Sequence, residues 1–86
     1  MPDPSKRFVY LLESLSERRR HYVGLTSDAH RRLAQHNSSR SPHTSKSRPW
    51  TLVVTIEFAD EGHAARFERY LKSGSGRAFV RRHFAT

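Results

Sequence analysis

The stretch PWTLVVTIEF, residues 49–58, constrains the fold more than any other part of the chain. Trp50, Leu52, Val54, Ile56 and Phe58 fall on one side of an extended strand, with Thr51, Thr55 and Glu57 on the other. That period of two marks a strand with one covered face. A lone strand cannot bury such a face, so the remainder of an 86-residue chain must supply partner strands and a cover. Two earlier runs qualify as partners: RFVYLL at 7–12 and HYVGL at 21–25. The polar ESLSERRR between them reads as a hairpin connection longer than a two-residue turn, which makes the pair antiparallel.

Helices fill the intervals. Thr26, Ser27 or Asp28 can cap a helix over 28–37, because each offers a side-chain oxygen to unpaired backbone N–H groups. Asp60 does the same for a helix over 61–72, and Gly74 in SGSG is placed to end it. Ser75 then starts a last short helix, GRAFVRRHF. Residues 37–49, NSSRSPHTSKSRP, read as a Ser/Pro-rich loop with four basic residues and no acid. The order β-β-α-β-α-α predicts an α+β fold: a small three-stranded antiparallel sheet flanked by helices, one domain over 1–86 with residues 1–6 as a flexible tail.

Composition narrows the function. Sixteen Lys and Arg against eight Asp and Glu give a net charge of +8, which on so small a domain favours a polyanionic partner, most often nucleic acid. A basic surface kept for solubility is the plainer alternative. No helix pattern joins bulky apolar and basic faces as a membrane-surface role requires. No apolar run approaches the roughly 18 residues of a spanning helix, and MPDPSKRF has no signal-like apolar core. Cysteine is absent, which removes disulfides and thiolate metal sites and suits a reducing, cytoplasmic location. The six histidines lack the paired spacing of a zinc site, and no phosphate loop, nucleophile elbow or H-E-x-x-H is present.

Two residue stripes break the hydrophobic pattern. Ala29, Arg32, Leu33 and His36 share a face of the first helix, and Ala64, Phe67, Glu68 and Leu71 share a face of the second. Taking an unpaired charge out of water costs several kcal/mol, so such residues are paired, snorkelling or functional. One reading is purely structural: Arg32 and Glu68 form a salt bridge between helices. The other is a site.

The strands favour the site. Phe8-Val9-Tyr10 and Tyr22-Val23-Gly24 resemble the paired strand motifs of the GIY-YIG nuclease superfamily. The resemblance continues through TSDAHRRLAQHN, RPWTLVV and FERYLKSGSGRAFVRR, over nearly the whole chain. It is greatest to small single-domain bacterial members, which are similar to the catalytic domain of structure-specific endonucleases. The resemblance implies roles. Tyr10 would be a general base or position the water, Tyr22 would orient water or phosphate, and Gly24 would let the chain leave the strand close to substrate. Arg32 matches the catalytic arginine, with Arg31 its substitute if the helix register differs by one. His36 matches a histidine one turn later, and Glu68 the glutamate that holds a divalent cation. Phe8 stands where the first motif has glycine and Val23 where the second has isoleucine; no counterpart of a late asparagine follows Glu68.

These types suit phosphodiester hydrolysis. One carboxylate can anchor Mg²⁺ or Mn²⁺, which keeps several waters and takes its other ligands from phosphate. Arginine offers a permanently charged fork to phosphate oxygens. A tyrosine of pKa about 10 is a poor base at pH 7, so nearby cations would have to favour its phenolate. Arg31, Arg40, Lys46, Arg48, Lys72 and Arg77 are the candidates for backbone phosphate contacts, with Gly24 near the substrate. The expectation is a divalent-metal-dependent DNA endonuclease of repair, recombination or processing. Its substrate is left open among single-stranded, duplex and branched DNA, and RNA is not excluded. The alternative is a nucleic-acid-binding module of the same fold without turnover.

Overall fold

Strand β1 (Phe8–Ser14) runs up the middle of the sheet, between β2 (His21–Thr26) and β3 (Trp50–Glu57). In this computed structural model, which describes residues 5–38 and 42–84, both pairings are antiparallel, in the order β2-β1-β3. Three helices cover the sheet: α1 (Ala29–Asn37), α2 (Glu61–Leu71) and α3 (Gly74–His83). Within the described residues this is the α+β arrangement and element order read from the sequence. No helix among them is long and apolar enough to cross a membrane.

Alternation along β1 sends its side chains to two cores. Val9 and Leu11 pack with Ala64, Leu71 and Val80 of α2 and α3. Tyr10 and Leu12 pack on the opposite face with Ala29 of α1 and Trp50 of β3. The apolar run of β3 does not stay on one face as its alternation suggests. Leu11 pairs with Val54 but Leu12 pairs with Leu52, so Val53 is an extra residue, a bulge. Trp50 and Leu52 therefore face α1, while Val54 and Phe58 pack toward α2 and α3.

The helix starts follow the capping chemistry. Asp28 accepts from the Arg31 N–H and Asp60 from the His63 N–H. The third start differs from expectation. Ser73 is the cap of α3 and accepts from the Gly76 N–H, so Gly74 is the first residue of α3 rather than the end of α2. Lys72 closes α2 in right-handed geometry, so no glycine is needed there. The polar segment before β3 contains a 3-10 turn, Ser45–Ser47, and buries Thr44 and Ser47. It is packed structure. Asn37 holds its exit, donating to the Trp50 carbonyl at 2.9 Å and accepting from the Trp50 N–H at 2.6 Å.

Candidate active site

The α1 face of the sheet gathers four of the expected residues. Tyr10 points from the central strand, Tyr22 from β2, and Arg32 and His36 descend from α1. Tyr10 Oη lies 2.9 Å from His36 Nε2. His36 Nδ1 lies 2.8 Å from Thr44 Oγ1, and the Thr44 carbonyl accepts from Trp50 Nε1 at 2.8 Å. The Tyr22 and His36 rings are 4.6 Å apart between centroids, and the Tyr10 and Tyr22 rings 6.1 Å. Tyr10 is 1% exposed and His36 is fully buried, whereas Tyr22 and Arg32 are half-buried and reach the surface.

Gly24 makes this arrangement possible. It pairs directly with Tyr10 across the β1–β2 ladder. A Cβ there would lie 2.6 Å from Tyr10 Cε1, and closer still to Cζ and Oη. The phenol ring lies over the bare backbone of β2, which continues to Thr26. The expectation that Gly24 lets the chain leave the strand is thus corrected: it clears a place for a cross-strand ring.

Electrostatics within the cluster follow from burial. Burial pushes the Tyr10 hydroxyl above its ordinary pKa of 10.0 and outweighs the nearby Arg32 guanidinium, which acts the other way. The Tyr22 hydroxyl also bears on that oxygen. Burial, then the positive charge of Arg32, hold His36 below its ordinary value of 6.5. Arg32 therefore does not by itself produce a phenolate here, and the neutral imidazole, with its Nε2 beside Tyr10, is the group in the cluster placed to take a proton. Arg32 donates to Gln35 Oε1 at 2.5 Å. With Lys6, Asp28, Arg31 and Gln35 it lines an open pocket of about 370 Å³ at the head of α1.

Glu68 is placed differently. It sits on α2, across the sheet from α1, partly buried, with Lys72 Nζ 2.5 Å from its Oε2. Among the described residues no ion pair joins Arg32 to Glu68, so the structural reading of the two stripes finds no support. A larger open groove of about 1320 Å³ runs past β2 and is lined by both Tyr22 and Lys72, which links the two faces. No group of three His, Cys, Asp or Glu that could hold a metal occurs among the described residues. A single half-buried carboxylate still fits a hard cation that keeps its waters and takes phosphate oxygens. Glu68 meets that description.

The remaining candidates scatter. Arg31, Lys46, Lys72 and Arg77 are exposed. Arg48 is exposed too, but its guanidinium holds the loop, donating to the Ser45 carbonyl at 2.8 Å. Arg40 lies outside the described residues. Sequence reading missed Thr44, since nothing in NSSRSPHTSKSRP distinguishes the one hydroxyl that turns inward to the imidazole.

Residues 6–82 match the GIY-YIG catalytic domain. The structure-specific endonuclease subunit SLX1 of Candida dubliniensis is 42% identical over 76 residues, covering 80% of this chain and 27% of that protein. The subunits of the same name from Aspergillus niger and Malassezia globosa are 37% and 41% identical, covering 78% and 76% of this chain. The chain spans only 16% to 27% of the length of these curated relatives.

Proposed function

The chain belongs to the GIY-YIG catalytic-domain family, and from that premise we propose that it is a divalent-metal-dependent DNA endonuclease, hydrolysing phosphodiester bonds in repair, recombination or processing. The observation that carries this reading is the buried Tyr10–His36 hydrogen bond with Tyr22 and Arg32 at its surface end.

Arg32 can only donate, so its approach leaves the Tyr10 hydroxyl hydrogen free to point at His36 Nε2. That assigns the proton of neutral His36 to Nδ1, toward Thr44. Tyr22 and Arg32 meet the substrate, because they reach the surface and Tyr10 does not. As the water oxygen bonds to phosphorus, its proton passes to Tyr22 Oη, that of Tyr22 to Tyr10 Oη, and that of Tyr10 to His36 Nε2. The phosphorus–oxygen bond to the leaving strand breaks, and the departing oxygen takes a proton from solvent. Each tyrosine gains one proton and loses one, so neither need exist as phenolate. Arg32 places a fixed positive charge where the phosphoryl oxygens gain negative charge. A Mg²⁺ or Mn²⁺ ion on Glu68 would supply Lewis-acid stabilisation of phosphate oxygens.

The test is cleavage of single-stranded, duplex and branched DNA, and of RNA, with Mg²⁺ or Mn²⁺. Wild type is expected to cut DNA, and Arg32→Ala to cut about 10²–10³-fold more slowly, the loss typical of one transition-state donor. Arg31→Ala should mainly weaken binding. Glu68→Ala is expected to bind DNA without metal and not to cut it; cutting at the wild-type rate would remove Glu68 as the metal ligand. Binding by wild type without cleavage under any metal would leave the binding-module reading in its place.

A further inference from the structure

The groove beside β2 contains six cationic side chains that the catalytic proposal does not use: Arg18, Arg19 and Arg20 from the β1–β2 connection, Lys72 after α2, and Arg77 and Arg81 on α3. Glu13 is its one lining carboxylate, and that group lies 3.2 Å from His21 Nε2. Arg20 stands 3.9 Å from exposed Glu17, and Lys72 holds Glu68. Among the described residues, Arg18, Arg19, Arg77 and Arg81 have no such carboxylate partner.

Arg19 adds an independent observation. The connection closes with Arg20 N–H donating to the Glu17 carbonyl at 3.1 Å, and Arg19 takes φ of 74°. A non-glycine residue is strained in this left-handed region, where its Cβ crowds the backbone. Glycine would fit the position more cheaply, yet an arginine occupies it and is one of the residues that line the groove.

We infer that the β1–β2 connection and α3 form a second phosphate-backbone site, which takes the DNA strand running away from the scissile phosphate at Tyr22. The inference rests on the nuclease reading and extends it, because one groove joins Tyr22 to the arginines. Its occupant is recognised by charge, without base readout: arginine forks on phosphate oxygens confer affinity and salt dependence.

The experiment measures duplex DNA affinity against salt concentration, in Ca²⁺ or without metal, for the full chain. The groove variant carries Arg18→Gln, Arg19→Gly and Arg81→Gln; a control with equal charge loss carries Arg66→Gln, Arg69→Gln and Arg82→Gln. The groove variant is expected to bind roughly 10- to 100-fold more weakly at 100 mM salt, with a slope shallower by about 0.9 for each phosphate no longer neutralised. The control should change far less. Equal losses in both variants would mean a diffuse charge effect and would overturn the site, as would an unchanged slope in the groove variant. Polyglutamate competing as well as DNA of equal charge would overturn the assignment to a nucleic-acid backbone. A wild type that neither binds nor cuts DNA would instead defeat the nuclease reading itself. If the triple variant does not fold, Arg19→Gly alone decides, since it relieves a strained φ and should still reduce the slope by about 0.9.

Discussion

A methyl group on Gly24 would collide with a ring that has nowhere to go. Tyr10 is buried, its hydroxyl bonded to His36, and the added Cβ would lie 2.6 Å from Cε1. Gly24→Ala should therefore cost about 1–3 kcal/mol, as overpacking typically does, and should also cut activity sharply because Tyr10 must swing off the imidazole. Denaturant melts and cleavage rates of the one variant check both; a stable, fully active Gly24→Ala would show that Tyr10 need not lie where it does. Protonation gives a second test on single residues. His36 is held below 6.5 and Tyr10 above 10.0. The cleavage rate should rise with pH with a midpoint below 6.5 and then stay level to about pH 10. A midpoint above 7, or a fall by pH 9, would contradict neutral His36 as the final proton acceptor. Both predictions rest on contacts only partly legible in the chain. Motif and helix period led to Tyr10, Arg32 and His36. The inward turn of Thr44 and the ring over Gly24 are cross-strand and loop-to-helix contacts, which no local pattern reports.

At the scale of elements, two glycines two residues apart have opposite expected effects. Gly74 is the first residue of α3, and a Cβ there meets nothing within 4 Å. Gly74→Ala should be neutral or stabilise by up to about 1 kcal/mol, since alanine loses less conformational freedom in a helix. Gly76 is where α3 crosses the end of α2. A Cβ there would lie 2.6 Å from the Tyr70 carbonyl carbon, and closer still to its oxygen and to Leu71 Cα. Those are backbone atoms, and Gly76→Ala should cost about 1–3 kcal/mol as the helices part. Thermal midpoints of the pair settle it; equal shifts would mean that the α2–α3 elbow yields without cost. SGSG shows a breaker to the eye, but which glycine ends a helix and which permits a crossing depends on the neighbour helix. The bulge at Val53 is hidden for a similar reason. Val53 and Val54 are both apolar, so alternation across the run looks unbroken whichever face each takes. Deleting Val53 would remove the bulge while leaving Leu11 opposite Val54 and Leu12 opposite Leu52. Trp50 and Leu52 should then keep the α1 face, and denaturant melts should still show cooperative folding, with a lower midpoint for the lost Val53 contacts.

For the whole molecule, the two cores share one sheet, and one of them is sealed by a titratable group. His36 sits at full burial between Tyr10 and Thr44, with Arg32 nearby, and its pKa is depressed from 6.5 by burial first and Arg32 second. The unfolded chain has no such burial, so its His36 binds a proton near pH 6.5 while the folded protein does not. Below pH 6.5 the unfolded state therefore holds more protons, so stability is full above that pH and declines as pH falls from there through the folded pKa. One proton can contribute at most about 1.4 kcal/mol per pH unit. The other resolved acid effect lies elsewhere, for Asp60 is held below 3.8 by the backbone N–H of His63 that it caps, so its loss comes at lower pH. Denaturant midpoints between pH 7.5 and 4.5 should therefore fall for wild type. In His36→Gln, less stable throughout by about 1–3 kcal/mol for the partner left unpaired, the decline should be smaller by the contribution of that proton. The difference between the two curves is the quantity to measure, because the remaining histidines and the net charge of +8 act on both proteins alike. Parallel curves would mean that His36 takes up its proton as easily folded as unfolded. The buried imidazole could not then be the neutral acceptor on which the proposed proton path depends.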